Sequence, residues 1–595
     1  MHTGFLLSAA LAALAQAPEA RPAPGQAGPA APSASVPSAS VPAASVPAAP
    51  AEDVRYHTLD EVAERVRTWI GSAAPDRVLV EKVDLPSTST GLPVPALAFG
   101  APGAIPLAER PTVLLLGGLD GVSLSGCEAV LATCSTLVSQ PERLPKDVAF
   151  VAVPWSSPEA LSSELAGKGD GRDLTPVDDD GDGKVDEDGP DDVDGDGRIL
   201  QMLVEDPEGP WVRAQDPRFL APARPGDAPR YQLVPEGKDD DGDGRYNEDP
   251  PGGVCYDRAF PLGWHCEHPF AIGAELPLDV PSCRALADLS LQRRTVAVLL
   301  FQGEHGGLAK PGAHALNPWP RDADAATFDV AGKIFARATG RAVPLVPPLS
   351  VARGAETPGA ALDWFYAVPG ALALEVAPWG PGVEKPAEAP GVGLADALFE
   401  SPRSAGRSTP PPVSALDAAW GRWLDNLHGG IGFVEWHPVD LGDGKTALVG
   451  GWEWNSRRNP PEKSLATALA GIPQFVQDLS SALPALELSL ADTRRDGEVC
   501  TVRARLANNG VLPTGAWSSG RALDGRADPA GARLEIELPA GARLLAGEPS
   551  VALGAISGGG ASRETSWVVL AAPGSVLTVR ATAPWIVPIA REVKP

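Results

Sequence analysis

Apolar runs of strand length alternate with amphipathic stretches through most of the chain. The runs are VLVEKVDL, VPALAFG, PTVLLLGG, DVAFVAVPW, TVAVLLFQG and ALALEVAPW. Apolar residues recur at helical spacing in YHTLDEVAERVRTWI, where Thr58 is the predicted N-cap, and also in SGCEAVLATCSTLVSQ and DVPSCRALADLSLQ. Buried strands that alternate with amphipathic helices predict an α/β domain with a largely buried sheet.

The pattern changes at residue 484. Before it, SLATALAGIPQFVQDLSSAL is predicted to be the last helix of the α/β domain, which would span residues 53–484. After it come short alternating segments separated by Gly, Pro and Asn, namely LELSLADT, CTVRARLANNG, ARLEIELPAG, TSWVVLAA and VLTVRATAP. This pattern predicts an all-β domain, an immunoglobulin-like sandwich, over residues 485–595.

The first 52 residues differ in composition from the rest. Residues 1–17 contain an apolar core of signal-peptide length and end in the small-residue pattern Ala15-Gln16-Ala17. Residues 18–52 are nearly all Pro, Ala, Ser and Val, which cannot bury a core, so they are predicted to be a disordered linker. We therefore expect a protein that is secreted, periplasmic or located at the cell surface.

The net charge excludes some classes of partner. The chain has 76 acidic and 49 basic residues, which gives a formal net charge of −27. Nucleic acids and anionic membranes attract basic surfaces, so neither is expected as a partner. No sequence stretch after the first segment is a continuous apolar run of membrane length, which argues against membrane insertion.

Much of the acidic charge lies in an insertion at about residues 170–250, in three loops where alternate acids precede a glycine. This arrangement suits Ca²⁺, a hard ion that takes oxygen ligands around a sharp turn. The glutamate at the twelfth position of a complete EF-hand loop is absent from the sequence of all three, so flanking side chains would complete the coordination. The alternative is a solvated acidic loop. The predicted ligands are Asp178, Asp180, Asp182, Asp186, Asp188, Asp192, Asp194, Asp196, Asp239, Asp241, Asp243, Asn247 and Asp249.

An ordered series of motifs carries a family resemblance. The motifs are YHTLDEV, STSTGLPVPAL, GGLDGVS, DDDGDG, YDRAFP, LLFQGEHGG, DWFYAVPGALALEV and FVEWHPVDLGDGKTALVGGWEWNSRRNPP. In their order and spacing, the chain resembles over residues 53–480 the zinc metallocarboxypeptidase family of the carboxypeptidase A type, in its bacterial branch with an Asp-rich calcium-loop insertion and a C-terminal β-sandwich. The resemblance implies a mixed central sheet flanked by helices, with a site at the strand ends.

The family's zinc site needs a His and a Glu from an H-x-x-E segment and a distant His, which leaves one position for a reactive water. On this resemblance, the three ligand positions fall on Asp120, Ser123 and Gln302. An Asp can bind zinc, but a Ser is a poor neutral ligand and a Gln is a weak carbonyl donor. Zinc is therefore implied by the family, whereas these residues predict a degenerate site.

The resemblance also places residues around the metal position. The family's general-base Glu falls on Glu375, and its carboxylate-binding Asn-Arg pair falls on Asp257 and Arg258. A buried carboxylate is costly without a partner. The alternative role for Glu375 is therefore a structural ion pair with an arginine such as Arg258.

Another side chain could substitute as a metal ligand. His305 follows Gln302 by three positions, and with Asp120 and Glu304 it would form a carboxylate-rich site suited to Mn²⁺, Fe²⁺ or Ca²⁺. The alternative is that His305 is a polar loop residue before a Gly-Gly turn. The HCEH segment at residues 265–268 is interpreted as a surface loop, because it is flanked by Pro.

Three functional hypotheses follow from these residues. The first is a secreted pseudoenzyme that resembles metallocarboxypeptidases, hydrolyses no peptide and binds the C-terminal carboxylate of a peptide or peptidoglycan-derived ligand through Arg258. The second is an active metallocarboxypeptidase that removes C-terminal residues with an atypical metal site including Asp120 and His305. The third is an adhesive surface module in which residues 485–595 make the contacts.

Overall fold

The structure is a computed structural model of the 595-residue chain. The predicted signal peptide, residues 1–17, and the predicted linker, residues 18–52, lie outside the residues that it describes. Within the described residues, no helix has both the length and the apolar character needed to cross a membrane. The described residues are 54–169, 171–176, 183–185, 189–240, 246, 253–264, 276–311, 322–341, 359–380, 383, 415–427, 429–430, 432–442, 444–453, 455–514, 531–583 and 586–594.

Helices and strands alternate through the first domain. In chain order they are α1 (Leu59–Ser72), β1 (Leu79–Lys82), β2 (Leu97–Gly100), β3 (Pro111–Gly117), α2 (Leu124–Ser139), β4 (Ala149–Val153), α3 (Pro158–Leu165), β5 (Gln201–Glu205), β6 (Trp211–Arg213), β7 (Leu220–Pro222), β8 (Tyr231–Pro235), α4 (Pro281–Gln292), β9 (Arg294–Phe301), β10 (Leu308–Ala309), α5 (Asp322–Thr339), α6 (Ala361–Ala367), β11 (Leu372–Val376), α7 (Ala415–Leu427), β12 (Phe433–Gly442), β13 (Lys445–Trp452), α8 (Glu462–Leu469) and α9 (Ile472–Ala482).

A seven-stranded mixed sheet forms the centre of this domain, in the order β1-β2-β4-β3-β9-β11-β10. Strands β4, β3, β9 and β11 run parallel, and the outer strands pair antiparallel. Every residue of β2 and β4 is buried, as expected for strands covered on both faces. The mixed α/β fold predicted from the alternating pattern is confirmed.

Helix α2 begins against the carboxyl end of this sheet. A Cβ atom on Gly126, in the first turn of α2, would lie 1.8 Å from the carbonyl oxygen of Phe301 at the end of β9. Only a glycine allows two backbones to approach this closely. The approach places the start of α2 beside the ends of β3 and β9, where the sequence predicts the site.

The stretch predicted as one last helix forms two helices. Helix α8 ends at Leu469 and helix α9 begins at Ile472. Between them, Gly471 has a φ of 79°, a left-handed conformation that ends the first helix. Pro473 lies in the first turn of α9, where its lack of an N–H costs no hydrogen bond.

The acidic insertion contributes to a second sheet that the sequence pattern did not predict. Its six strands lie in the order β12-β13-β5-β8-β6-β7, so the insertion strands pair with a hairpin from the end of the domain. Glu236, which is fully buried after β8, accepts hydrogen bonds from the backbone N–H groups of Val193 at 2.9 Å and Leu200 at 3.0 Å. One carboxylate thus fixes the acidic loop at residues 192–197 to the sheet.

The second domain consists of two four-stranded antiparallel sheets, ordered β14-β15-β19-β17 and β18-β16-β20-β21. The two sheets share one apolar core, in which Trp567 is fully buried. The strands are β14 (Leu486–Asp496), β15 (Val499–Asn508), β16 (Ala532–Glu537), β17 (Arg543–Ala546), β18 (Ser550–Gly554), β19 (Ala561–Leu570), β20 (Leu577–Thr582) and β21 (Ile589–Val593).

A short loop of the second domain joins the two domains. The carbonyl oxygen of Ala482, at the end of α9, accepts hydrogen bonds from the N–H groups of Val511 at 3.1 Å and Leu512 at 2.8 Å. The Leu512 side chain is fully buried and packs in the core of the first domain. This loop therefore completes the core of the domain that precedes it.

Candidate functional site

Three neighbouring strand ends meet at one edge of the central sheet. Gly117 of β3 and Val376 of β11 both pair with Phe301 of β9. Parallel strands end on the same side of a sheet, so residues just beyond these ends become neighbours. This register brings together the loop after β3, Gln302 after β9 and Glu375 in β11.

Asp120 closes the turn between β3 and α2. Its Oδ1 accepts hydrogen bonds from the N–H groups of Val122 at 3.2 Å and Ser123 at 3.0 Å, and its Oδ2 accepts from Ser123 Oγ at 2.6 Å. Ser123 Oγ also accepts the N–H of Gly303 at 3.0 Å. Burial raises the pKa of Asp120, and the hydrogen bonds from Ser123 oppose that shift. Both residues thus serve as structural connections between the strand ends.

Asn459 fixes the first turn of α2 and was not recognised from the sequence. Its Oδ1 accepts the N–H of Ser125 at 3.0 Å, and its Nδ2 donates to the carbonyl oxygen of Val122 at 2.9 Å. The side chain is fully buried. Its sequence signal is its place in NSRRNPP, the end of the motif series, although no spacing rule connects that segment with residue 123.

Glu375 is bound by two neighbouring side chains. Its Oε1 accepts from His305 Nε2 at 3.0 Å, and its Oε2 accepts from Gln302 Nε2 at 3.3 Å. Nδ1 of His305 accepts the N–H of Gly307 at 3.2 Å, so the ring proton is on Nε2. Within the described residues, Glu375 therefore pairs with His305 and Gln302 and not with Arg258.

Glu304 points to a different partner. Its carboxylate accepts hydrogen bonds from Arg457 Nε at 3.1 Å and Arg457 Nη2 at 3.2 Å. The same guanidinium contacts Asp417 of α7 at 3.4 Å. This bidentate pair connects the loop after β9 to the segment after β13. Glu304 thus pairs with Arg457. It does not form, with Asp120 and His305, the carboxylate-rich metal site that the sequence suggested.

Asp257 and Arg258 lie next to each other in the short 3-10 helix Tyr256–Arg258. Asp257 is 6% exposed, and its Oδ2 is 3.6 Å from Arg258 Nη2, which is too far for a direct hydrogen bond. Burial raises the pKa of Asp257 to about 7, while the charge of Arg258 opposes this rise and that of Glu375 adds to it. The Arg258 side chain is 26% exposed, so a ligand can reach it.

The donor set does not fit zinc, which the family resemblance implies. Zinc sites use imidazole or thiolate lone pairs together with carboxylate oxygens. Both oxygens of Asp120 already accept hydrogen bonds, and Ser123 is a neutral hydroxyl that bonds Asp120 and Gly303. Gln302 offers a single amide oxygen, and both ring nitrogens of His305 are engaged. The Cys255 thiol contacts the carbonyl oxygen of Asp120 at 4.0 Å, but burial raises its pKa to about 12 and so favours the protonated form. The described part of the cleft thus presents no unengaged imidazole and no thiolate to a transition metal.

Of the three predicted calcium loops, the structure describes one. Carboxylate oxygens of Asp192, Asp194 and Asp196 lie within 4.8 Å of one another. His437 Nε2 contacts Asp194 Oδ2 at 2.9 Å, and Arg198 pairs with Asp196. Asp239 of the third loop contacts Lys445 at 3.3 Å. The remaining predicted residues, Asp178, Asp180, Asp182, Asp186, Asp188, Asp241, Asp243, Asn247, Asp249, His265 and His268, lie outside the described residues.

Comparisons with known proteins give one match to the second domain and separate matches to a larger part of the chain. A family model described as "Domain of unknown function (DUF8731)" matches residues 485–594. No curated protein matches the chain. Among solved structures, the carboxypeptidase A from Helicoverpa armigera is similar at 12% identity, over 58% of this chain and 70% of that chain, with a TM-score of 0.36.

Two further solved structures are similar at the same low level. Bovine thrombin-activatable fibrinolysis inhibitor, in complex with tick carboxypeptidase inhibitor, is 11% identical over 72% of this chain and 97% of that chain, with a TM-score of 0.38. The metallo-carboxypeptidase from Burkholderia cenocepacia is 10% identical over 70% of this chain and 69% of that chain, with a TM-score of 0.30. At these identities and TM-scores, the similarity assigns no function to this chain.

Proposed function

We propose that this cleft binds the carboxylate of a peptide or cell-wall-derived ligand through Arg258 and does not hydrolyse it. The observation that carries the proposal is the combination of a reachable guanidinium with a ligand set that zinc does not fit. A guanidinium recognises a carboxylate with paired hydrogen bonds. Without a metal-activated water, the described part of the cleft has no activated nucleophile for a peptide bond.

The hydrogen bonds of the neighbouring residues support ligand binding without hydrolysis. Glu375, at the family's general-base position, is already hydrogen-bonded by His305 and Gln302. Ser123 donates to Asp120, which has no imidazole beyond it among the described contacts. Neither arrangement is a base poised to activate an attacking group.

Binding is tested by calorimetry with matched probes. Common free amino acids and short alanine peptides are each compared with the same compound carrying a C-terminal amide. The expected result is that at least one carboxylate binds, that its amide binds at least about ten-fold more weakly, and that Arg258→Gln removes the difference. Arg258→Lys retains the charge, and Arg422→Gln is the matched exposed control. Equal binding of carboxylates and amides, or no binding of any carboxylate, would overturn the proposal.

Hydrolysis is tested separately by mass spectrometry of peptides incubated with the protein. The expected result is no release of C-terminal residues. Release that Glu375→Gln abolishes, together with about one transition metal per chain lost in Asp120→Ala, would replace this proposal with an active enzyme that has an atypical metal site.

The proposal for the whole chain has two further parts. Carboxylate oxygens of Asp192, Asp194 and Asp196 in the acidic loop lie within 4.8 Å of one another, which supports Ca²⁺ binding there in place of the present contacts with His437 and Arg198. Export through residues 1–17 would bring the cleft to peptides outside the cytoplasm. The immunoglobulin-like tail would then act as a spacer or contact module.

A further inference from the structure

Two buried oxygen atoms of the cleft have no hydrogen-bond donor among the described residues. They are Oδ1 of Asp257 and Oε1 of Gln302. Asp257 is 6% exposed and Gln302 is 2% exposed. An unpaired buried acceptor is uncommon in a folded protein, because it loses its hydrogen bonds to water without replacement. Two such atoms in one cleft indicate that a donor from outside the chain belongs there.

The two side chains are electrostatic neighbours. Burial and the charges of Glu375 and Asp120 raise the pKa of the Asp257 carboxyl group, whereas the charge of Arg258 and a hydrogen bond from the Gln302 amide lower it. Gln302 directs its Nε2 to Glu375, which leaves its Oε1 as an acceptor. Arg258 is the cation beside this group, and its Nη2 is 3.6 Å from the other oxygen of Asp257. Carboxylates therefore outnumber the cation in this part of the cleft, which favours a positively charged donor.

We infer that the ligand of this cleft is a free α-amino acid, whose ammonium group donates to Asp257 Oδ1 and Gln302 Oε1 while its carboxylate binds Arg258. This inference rests on the proposed function, because Arg258 must take the carboxylate. Asp257 and Arg258 are adjacent in the chain, and Oδ2 of Asp257 is 3.6 Å from Arg258 Nη2, so the two ligand groups must also be close together. An α-amino acid carries them on a single carbon atom.

Other donors fit the two oxygens less well. A peptide N–H donates one hydrogen bond and brings no charge, so it would leave one acceptor unpaired. A Ca²⁺ or Mg²⁺ ion requires about six or more oxygen ligands. The oxygens of the neighbouring Asp120 and Glu375 already accept hydrogen bonds from the protein. A primary ammonium group needs only about two or three acceptors.

Calorimetry with the full mature chain tests this inference with three probe sets. They are the common free L-amino acids with D-alanine, their N-acetyl derivatives and their C-terminal amides, all measured with a chelator present. The expected result is that a free amino acid binds and that both its N-acetyl derivative and its amide bind at least about ten-fold more weakly. Asp257→Asn is expected to bring the free and N-acetyl forms within about three-fold, because it removes the negative charge but keeps the shape. Asp288→Asn, an exposed aspartate on α4, is the matched control.

The outcomes separate this inference from the proposed function. N-acetyl derivatives that bind as tightly as free amino acids, with amides that do not bind, would overturn the ammonium subsite and leave carboxylate binding intact. Failure of every free amino acid overturns the inference, while peptides with a free carboxylate still decide the proposed function. Binding that disappears with the chelator would show that a cation takes these oxygens, which also overturns the inference. If Asp257→Asn lowers the melting temperature strongly, Gln302→Leu provides the second test of the same subsite.

Discussion

The imidazole of His305 donates its Nε2 proton to Oε1 of Glu375 over 3.0 Å. The opposite nitrogen accepts the N–H of Gly307, so the ring is held in one tautomer. Glu375 is thereby tied to the loop after β9. These hydrogen bonds fix the relative positions of Glu375, His305 and Gln302 within the cleft.

Glu375→Gln should lower the stability of the first domain. The carboxylate accepts from His305 and Gln302 at once, whereas the amide would turn an NH₂ group towards one of these donors. We expect a loss of about 1–3 kcal/mol in the free energy of unfolding, measured by urea denaturation. Glu592→Gln, on the exposed face of β21, should change it by less than about 0.5 kcal/mol. Equal stability of wild type and Glu375→Gln would contradict the bonding described here.

Two helical glycines should respond in opposite directions to alanine. A Cβ on Gly126 would lie 1.8 Å from the carbonyl oxygen of Phe301, whereas a Cβ on Gly71 in α1 meets nothing within 4 Å. Gly126→Ala should destabilise by about 3 kcal/mol, because backbone must move. Gly71→Ala should stabilise by up to about 1 kcal/mol, because alanine lowers the entropy of the unfolded chain. Thermal and urea unfolding of both variants checks the signs.

Asn459→Ala should loosen the start of α2. The substitution would leave the N–H of Ser125 buried without a partner, and it would remove one of the two donors to the carbonyl oxygen of Val122, which also accepts the N–H of Leu124. We expect a loss of about 3 kcal/mol. Asn509→Ala removes a single hydrogen bond, to Glu487 on the surface of the second domain, and should cost less than about 1 kcal/mol. Comparable losses in the two variants, measured by urea denaturation, would argue against this role of Asn459.

Arg218 should stabilise the protein at neutral pH more than in acid. Its guanidinium contacts Asp425 and Asp216 at 2.7 Å each and lowers the pKa of both carboxyl groups. A carboxyl group whose pKa is lower in the folded state adds stability above its unfolded pKa of about 4, and this contribution is lost as the pH falls through the folded pKa.

The corresponding measurement compares Arg218→Gln with wild type at pH 7 and pH 3. We expect a loss of about 1 kcal/mol or less at pH 7, because solvent screens partly exposed pairs. The difference should shrink at pH 3, and Arg422→Gln, at an exposed position of α7, should show no such pH dependence. A difference that grows in acid would have the wrong sign.

Calcium binding should depend on Asp194. Its carboxylate lies within 4.8 Å of those of Asp192 and Asp196 in the described acidic loop. Calorimetric titration with Ca²⁺ should show that Asp194→Asn loses one ion relative to wild type, and Ca²⁺ should raise the melting temperature of wild type more than that of the variant. Asp288→Asn, which removes the same charge elsewhere, should bind as many ions as wild type. An unchanged number of ions in Asp194→Asn would remove this loop from the proposal.

The sequence predicts well where one local pattern decides the structure. Thr58 is the N-cap of α1, and its side chain and that of Glu61 bond each other's backbone N–H, as the spacing suggests. Apolar runs such as PTVLLLGG become buried parallel strands. In the same way, Asp120, Gln302 and Glu375 follow or end consecutive neighbours of one sheet, so their meeting follows from the strand pattern.

Prediction from the sequence fails where contacts between segments far apart in the chain determine the structure. Strand pairing between β5 and β13 joins residues more than 200 positions apart, and nothing in either segment specifies the other. The sequence offers Arg258 as the alternative partner of Glu375, whereas in the structure the partners are His305 and Gln302. Gly303, with a φ of 90°, turns the loop after β9 back towards β11. Gly471 shows the same limit on a smaller scale, since a left-handed φ is not visible in an otherwise helical pattern.

The burial of Leu512 has a consequence for how the chain can be divided. The family match begins at residue 485, but the hydrophobic core of the preceding domain includes a side chain 27 positions later. A gene fragment that ends at Pro484 would encode an α/β domain with a leucine-sized hole and an uncapped carbonyl group at Ala482. A fragment that starts after Pro484 would expose the apolar side chain of Leu512 on its surface, where it would favour self-association. The boundary of the family match and the boundary of the folded first domain are thus offset by one loop.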